Sequence, residues 1–293
     1  MSELNRTERK KIILVLLCLA LVGLIVASFA ALLIMTVWKD TRTAVISTTL
    51  VQDVFLFILP PLAAWWYVTR HPLKGTALDK RPSLRALAMV CVVFAAAIPA
   101  MNYVVWLNEQ MTLPQCLSWL EDWMRQSEDQ AKYITQSLLC NSSLGQMLLM
   151  VLVVGVLTGF SEEMFFRAGL LRPYLTPWRS HHVAIWVVAI IFSAVHMQFF
   201  GFVPRMLLGA WFGYLLWWTG SLWVPILAHA LNNSLVVVFE YLNQKNIIDS
   251  NWLETVGVPV DGEFPLFAVA SAALTAVLVF LTYKLLKKDN VTD

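Results

Sequence analysis

The chain has 293 residues, of which 59% are hydrophobic and only 14% are charged, and its mean hydropathy is +0.67. This composition excludes an ordinary soluble globular protein and is typical of an integral membrane protein. The formal net charge is +2, and no basic patch with interleaved aromatic residues indicates a nucleic-acid partner.

Apolar runs long enough to cross a bilayer occur eight times in the sequence. A transmembrane helix needs about 20 predominantly apolar residues. The predicted spans are 12–38, 45–68, 84–107, 144–171, 183–200, 203–219, 222–243 and 264–284. The first is too long, and is followed by too many others, to be a cleaved signal peptide. The sequence therefore predicts an all-α, polytopic bundle of about eight transmembrane helices.

The distribution of Lys and Arg residues predicts how this bundle is oriented. Fourteen of the 21 fall on one side of the predicted spans, in the N-terminal segment, the loop 69–85, the loop after the fourth span and the C-terminal segment. Six fall on the other side, and Arg167 lies inside a span. Because cytoplasmic loops are enriched in Lys and Arg, both termini are predicted to be cytoplasmic.

The loop 108–143 is accordingly predicted to lie outside the cytoplasm. Trp119 and Trp123 stand there among acidic residues, a pattern that suits a short amphipathic helix on the membrane surface. An ordinary connecting helix is the simpler interpretation. Cys116 and Cys140 lie in the same loop, where an oxidising compartment would permit a disulfide; two unpaired thiols fit the sequence equally well.

The chain divides into three regions. Residues 1–143 hold supporting helices and the outer loop, residues 144–243 hold the polar residues described next, and residues 244–293 hold a second outer loop and the last span. The central region also contains Gly155-Val-Leu-Thr-Gly159, in which two small residues four apart allow another helix to pack closely in lipid. The central region is therefore the predicted functional core.

Three charged residues lie within one hydrophobic run of this core: Glu162, Glu163 and Arg167. A charge in the middle of a bilayer costs about 2.5 kcal/mol or more, so such residues are rare and usually functional. Residues four apart share a helix face, so Glu163 and Arg167 are predicted to form a structural ion pair. Glu162 points about 100° away from Glu163 around the helix axis, so it is expected to face a different neighbour. Two further acids in predicted spans, Asp53 and Glu240, have no partner motif and are interpreted as structural or interfacial.

Two histidines and an asparagine follow on later spans. His196 lies in the fifth span, and His229 and Asn233 share a face of the seventh. Hydrolysis of a peptide bond needs a base to activate water, donors for the oxyanion and an acid for the leaving amine. Glu162 with His196 could supply the base and the proton shuttle, and His229 with Asn233 could supply the oxyanion donors.

Together these residues form three short motifs on successive predicted helices. The motifs are Glu162-Glu163-xxx-Arg167, Phe192-xxx-His196 and His229-xxx-Asn233. The ordered set resembles the CPBP family of intramembrane proteases, which includes the type II CAAX prenyl endopeptidases and the bacteriocin-processing or "abortive infection" proteins. The resemblance covers residues 160–235 and implies a membrane-embedded helical bundle that cleaves peptide bonds near the cytoplasmic side. It also implies that the first glutamate and first histidine activate water, and that the second histidine and the asparagine stabilise the oxyanion.

Three alternatives stay open at the level of sequence. Glu162, His196 and His229 could form a His₂Glu zinc site with an open position; no HExxH helix is present, and a mechanism without a metal or other cofactor is favoured. The protein could also be a non-proteolytic membrane scaffold or immunity protein of the same fold. A proton-coupled transporter is less favoured, because no second half of the chain echoes the Glu162–Asn233 pattern as an inverted repeat would.

The expected partners are the lipid bilayer and a peptide or protein substrate at the membrane, and the expected location is a bacterial cytoplasmic membrane. Family members cut prenylated C-termini, leader peptides or other membrane-associated peptides, and nothing in the sequence selects among these. Nor does the sequence predict an oligomeric state.

The predicted orientation can be tested with reporter fusions. A phosphatase that is active only outside the cytoplasm should be active when fused within the loop 108–143 and inactive when fused within the loop 69–85, because the second loop is the basic one. Activity in the reverse pattern would contradict cytoplasmic termini.

Overall fold

The computed structural model describes residues 4–38, 40–139, 143–175, 181–248, 255–259 and 263–289, and these residues form helices and no strand. The main helices, in chain order, are α1 (Arg6–Val37), α2 (Arg42–Thr69), α3 (Leu84–Glu109), α4 (Ser118–Leu139), α5 (Leu144–Tyr174), α6 (His181–Ala194), α7 (Phe202–Thr219), α8 (Trp223–Gln244) and α9 (Leu266–Asp289).

Seven helices in the described part of the chain are long and apolar enough to cross a membrane, and α4 and α6 are not among them. The predicted all-α polytopic bundle is thus confirmed, with seven long helices and one shorter apolar helix in place of eight long spans. The difference arises at the predicted span 183–200, because α6 ends at Ala194 and Met197 adopts a left-handed backbone (φ 55°). Non-glycine residues rarely adopt this conformation, and it stops the helix there. The orientation of the termini stays a prediction.

Helix α4 lies against one end of the bundle. The ring of Trp123 lies 5.3 Å from that of Phe199, and the guanidinium of Arg125 lies 4.4 Å above the ring of Phe200, both in the connection between α6 and α7. Near its C-terminal end, Leu138 packs with the cluster that contains Val237 of α8. The helix therefore covers the end of the bundle at which α8 terminates. Cys116, just before it, is an exposed free thiol, and Cys140 lies outside the described residues.

Close packing of α5 on α8 depends on glycine. A Cβ atom placed on Gly159 would lie 3.0 Å from the backbone nitrogen of Ala230, and one on Gly155 would lie 2.2 Å from the hydroxyl oxygen of Ser234. Gly209 plays the same part between α7 and α6, where an added Cβ would lie 3.0 Å from the ring of Phe192. Small residues let helix backbones approach closely in lipid, as the spacing in the sequence predicts. This approach brings the polar residues of α5 and α8 within reach of each other.

Enlarging Gly159 should therefore loosen the functional core. We expect Gly159→Ala to lower the free energy of unfolding by about 1–3 kcal/mol, because the new methyl group meets backbone atoms that cannot move aside independently. The measurement is thermal unfolding of the purified protein in detergent. Gly145→Ala on the same helix is the matched control, since its Cβ would meet only the hydroxyl oxygen of Ser143, 4.0 Å away. Equal midpoints for the two variants would contradict the close contact.

Candidate functional site

Both glutamates of the first motif lie where the geometry of α5 changes. The stretch Thr158–Glu163 is α-helical, and it is flanked by two π-helical segments, Val151–Leu157 and Met164–Leu171. Segments with i→i+5 hydrogen bonds are rare and occur frequently at functional sites. Glu162 and Glu163 thus stand at the last two positions of a short α-helical stretch that lies between two widened segments of α5.

An ion pair within the core of the bundle joins Glu163 to Arg167, and neither side chain is exposed. Arg167 Nη1 donates to Glu163 Oε1 at 2.7 Å, and Nη2 donates to the carbonyl oxygen of Gly209 at 2.9 Å. The guanidinium also lies 4.6 Å from the centre of the Phe192 ring and 5.3 Å from that of Phe212, within the range of cation–π attraction. The charge of Arg167 is therefore balanced by a carboxylate, a carbonyl dipole and two aromatic faces.

Glu163 also binds His229, a contact that the sequence does not predict. His229 Nδ1 lies 2.8 Å from Glu163 Oε1, and the imidazole stacks on the ring of Phe212 with centres 5.0 Å apart. A carboxylate paired with an arginine is ionised and can only accept hydrogen bonds, so Nδ1 of His229 carries the proton. In the neutral ring this leaves Nε2 with a free lone pair, and Nε2 faces Glu162 Oε2 at 3.7 Å.

His196 is also held through its Nδ1 atom, and it faces the other oxygen of Glu162. Its Nδ1 lies 2.7 Å from the carbonyl oxygen of Phe192, and a carbonyl oxygen can only accept, so this Nδ1 is also the protonated nitrogen. Its Nε2 lies 3.9 Å from Glu162 Oε1. The turn that ends α6 places His196 at this position rather than within a longer helix.

Two imidazole nitrogens therefore face the two oxygens of one carboxylate. The separations of 3.7 and 3.9 Å are longer than direct hydrogen bonds, so each imidazole nitrogen lies near a carboxylate oxygen without being bonded to it. The side chain of Glu162 is 13% exposed and that of His196 is 27% exposed, so the point between them is accessible from outside the packed core. Such an arrangement can hold a water molecule and accept its proton.

Asn233 is placed differently from these three residues. Its Nδ2 donates to the carbonyl oxygen of Val154 on α5 at 3.3 Å, and its Oδ1 accepts from Asn232 Nδ2 at 3.0 Å. Within the described residues it forms no hydrogen bond with Glu162 or either histidine. A primary amide has two N–H groups, so one remains for another acceptor.

Asp53, which has no partner motif in the sequence, is tied to the glutamate helix. It is only 4% exposed, its Oδ1 accepts from the hydroxyl of Ser161 at 2.7 Å, and its Oδ2 accepts from that of Thr158 at 3.3 Å. These two hydrogen bonds are consistent with the interpretation of Asp53 as a structural residue. The available signal in the sequence was the pair of hydroxyl residues Thr158 and Ser161, which lie four positions and one position before Glu162. Glu240, by contrast, accepts a hydrogen bond from Gln244 one turn further along α8, and it has no other partner among the residues that the structure describes.

The zinc alternative is not supported by this geometry. Among the residues that the structure describes, no group of three or more His, Cys, Asp or Glu side chains is arranged to hold a metal ion. Zinc would need Glu162, His196 and His229 each at about 2.0–2.2 Å from one point.

Comparison with known proteins supports the resemblance to the CPBP proteases. Residues 144–235 match the Rce1-like family of type II CAAX prenyl endopeptidases, which are proteases. The chain is also 30% identical over 83 residues to the uncharacterized protein YpbD of Bacillus subtilis (strain 168). That match covers 27% of this chain and 39% of the relative, so the chain spans about two-fifths of the length of the curated relative. No solved structure matches the chain.

Removing the arginine of the buried ion pair should destabilise the protein. Arg167→Ala leaves the carboxylate of Glu163 buried without its cation, and breaking a buried pair in this way costs about 3–5 kcal/mol. We expect much less folded protein in the membrane, measured by size-exclusion chromatography of detergent extracts. The double variant Glu163→Gln/Arg167→Met is the control, because it removes both charges and should recover part of the loss. If Arg167→Ala extracted as well as the unmodified protein, the pair would not be essential to the fold.

Proposed function

We propose, from the match of residues 144–235 to the type II CAAX prenyl endopeptidases, that this chain is an intramembrane endopeptidase. It hydrolyses a peptide bond of a membrane-associated protein or peptide, and it resides as a multi-pass protein in a bacterial cytoplasmic membrane. The observation that supports this most directly is the convergence of His196 Nε2 and His229 Nε2 on the carboxylate of Glu162.

Water activation is assigned to Glu162 and His196. A water held between the carboxylate and the imidazole donates a proton to Glu162 as its oxygen attacks the carbonyl carbon of the scissile bond. The carbonyl π electrons move to oxygen, which gives a tetrahedral oxyanion. The proton on Glu162 then passes to the leaving nitrogen, by way of His196 Nε2, and the C–N bond breaks.

Stabilisation of the oxyanion is assigned to His229 and Asn233. In the neutral ring His229 has no proton on Nε2, so it donates to the oxyanion only in its doubly protonated form, whose extra proton comes from solvent before the attack and not from the attacking water. Asn233 has one N–H group beyond its hydrogen bond to Val154. Glu163 keeps the His229 ring in place throughout, because its carboxylate binds the opposite nitrogen.

The test compares the membrane proteomes of cells that produce the unmodified protein or Glu162→Gln. The amide keeps the shape of the side chain but cannot accept the proton of water. Peptide termini that cleavage generates in cells with the unmodified protein should therefore be absent from cells with Glu162→Gln. General-base catalysis contributes about 10²–10⁴ in rate, and a lost oxyanion donor costs about 10²–10³, so Asn233→Ala should retain more residual cleavage than Glu162→Gln. Mass spectrometry of peptide termini provides the readout.

Glu109→Gln is the matched control, since the same substitution is made at an exposed position at the end of α3. It should leave the profile of termini unchanged. A strong chelator should also leave cleavage unchanged. If the chelator abolished cleavage and added zinc restored it, a zinc-dependent mechanism would replace the metal-free one. If Glu162→Gln produced the same termini and the same biological effect as the unmodified protein, a non-proteolytic scaffold or immunity protein would replace the protease.

A further inference from the structure

A large cavity lies beside the candidate site, between α3, α7, α8 and α9. Its volume is about 750 Å³, within the range of about 300–1,000 Å³ that is typical of ligand pockets. It extends along the helices, from Val93 to Asn102 on α3 and from Leu207 to Trp218 on α7. With about 1.5 Å of rise per residue, these walls are roughly 14–16 Å long. The cavity is thus elongated parallel to the helices, the direction in which lipid chains run.

Most of the wall is apolar. Side chains of α3, α7, α8 and α9 supply most of it, among them Phe94, Trp211, Phe239 and Val279, and Trp186 of α6 also contributes. Carbon atoms that line an apolar space gain dispersion energy only when other carbon atoms fill it. In a bilayer, the molecules that can fill such a cavity with carbon atoms are lipids, through their hydrocarbon chains.

Charged groups line the cavity only where α4 closes it. Lys132 of α4 and Glu240 of α8 both border the cavity there, together with the polar side chains of Thr135 and Asn102. Leu138 of α4 packs against the buried cluster that contains Val237 of α8, so these parts of α4 and α8 lie close together. Lys132 is exposed and has no hydrogen-bond or ion-pair partner within the described ranges, and Glu240 Oε1 accepts from Gln244 at 2.7 Å. One end of the cavity therefore offers one cation and one anion.

We propose that this cavity binds one zwitterionic phospholipid of the phosphatidylethanolamine type. An acyl chain lies between α3, α7, α8 and α9, the phosphate accepts from Lys132, and the primary ammonium donates to Glu240. An anionic phospholipid without an amine would match Lys132 but would bring a second negative group towards Glu240. A quaternary amine has no N–H to donate to the carboxylate. The pair of opposite charges thus selects a headgroup that contains both a phosphate and a primary amine.

The lipid would lie next to the candidate site without occupying it. Asn232 and Gln198 both line the cavity; Asn232 donates to Asn233, and Gln198 lies two residues beyond His196. A bound chain would support the wall that these residues form. The proposal does not require the protein to be a protease.

The test uses native mass spectrometry of the full chain, purified in mild detergent and mixed with equal amounts of phosphatidylethanolamine, phosphatidylglycerol and phosphatidylcholine. We expect one retained phosphatidylethanolamine per chain. Glu240→Lys should lower its retention about tenfold relative to phosphatidylglycerol, because a charge-assisted hydrogen bond is lost and the mouth becomes doubly positive. Ala97→Phe, which fills the cavity, should abolish retention of all three. Ala95→Phe is the matched control, since Ala95 is exposed and does not line the cavity.

Circular dichroism and size-exclusion chromatography establish whether each variant is folded. If Ala97→Phe does not fold, Glu240→Lys still tests the proposal, because Glu240 lies at the charged end of the cavity. Equal retention of the three lipids, preference for phosphatidylglycerol by the unmodified chain, or equal binding to Ala97→Phe and Ala95→Phe would each overturn it. So would a co-purified peptide or lipid-modified peptide in place of the phospholipid. Loss of peptide cleavage alone would bear on the proposed function and not on this site.

Discussion

The ion pair between Glu163 and Arg167 is the interaction on which the geometry of the candidate site depends. Both charges are fully buried inside a membrane protein, where each alone would be very costly. The same oxygen of Glu163 also binds His229 Nδ1, so a stabilising ion pair on α5 fixes the orientation of an imidazole on α8. Because Nδ1 is engaged, Nε2 is the nitrogen that faces Glu162. The two adjacent glutamates thus have different roles: Glu163 binds the supporting groups, and Glu162 faces the two imidazoles, where we propose that the reaction takes place.

The rest of the bundle holds this geometry at close range. Gly159 lets α8 approach α5 until backbone atoms nearly touch, and Gly209 lets the α7 backbone accept a hydrogen bond from Arg167. Asp53 binds two hydroxyls of α5 and so fixes the stretch directly before Glu162 against α2. Four helices therefore determine where one carboxylate lies, which explains why a short polar constellation needs a large apolar scaffold. The large apolar cavity borders the same scaffold, so a bound lipid chain would act on the wall behind Asn233.

Much of the fold could be predicted from the sequence, because long apolar runs and i, i+4 spacing are local signals. The spans, the pairing of Glu163 with Arg167 and the glycine contacts all follow from such patterns. Contacts between distant residues do not, since periodicity identifies a helix face but not the neighbour that it meets. Glu163 and His229 are 66 residues apart, and Asp53 and Ser161 are 108 apart. The left-handed turn at Met197 was missed for another reason: its flanks are apolar enough to extend a predicted span. The cavity arises from the packing of several helices, and no pattern within any one of them predicts it.

The orientation of His229 by Glu163 can be measured directly by solid-state NMR. The protein would be labelled with ¹⁵N-histidine in lipid bilayers, with His71, His181 and His182 replaced so that only His196 and His229 report. Nitrogen chemical shifts distinguish the two neutral tautomers. We expect a proton on Nδ1 of both rings and a free lone pair on Nε2, and Glu163→Gln should change the signals of His229 while leaving those of His196 in place. A neutral His229 with its proton on Nε2 would contradict the arrangement in which Glu163 turns that ring towards Glu162.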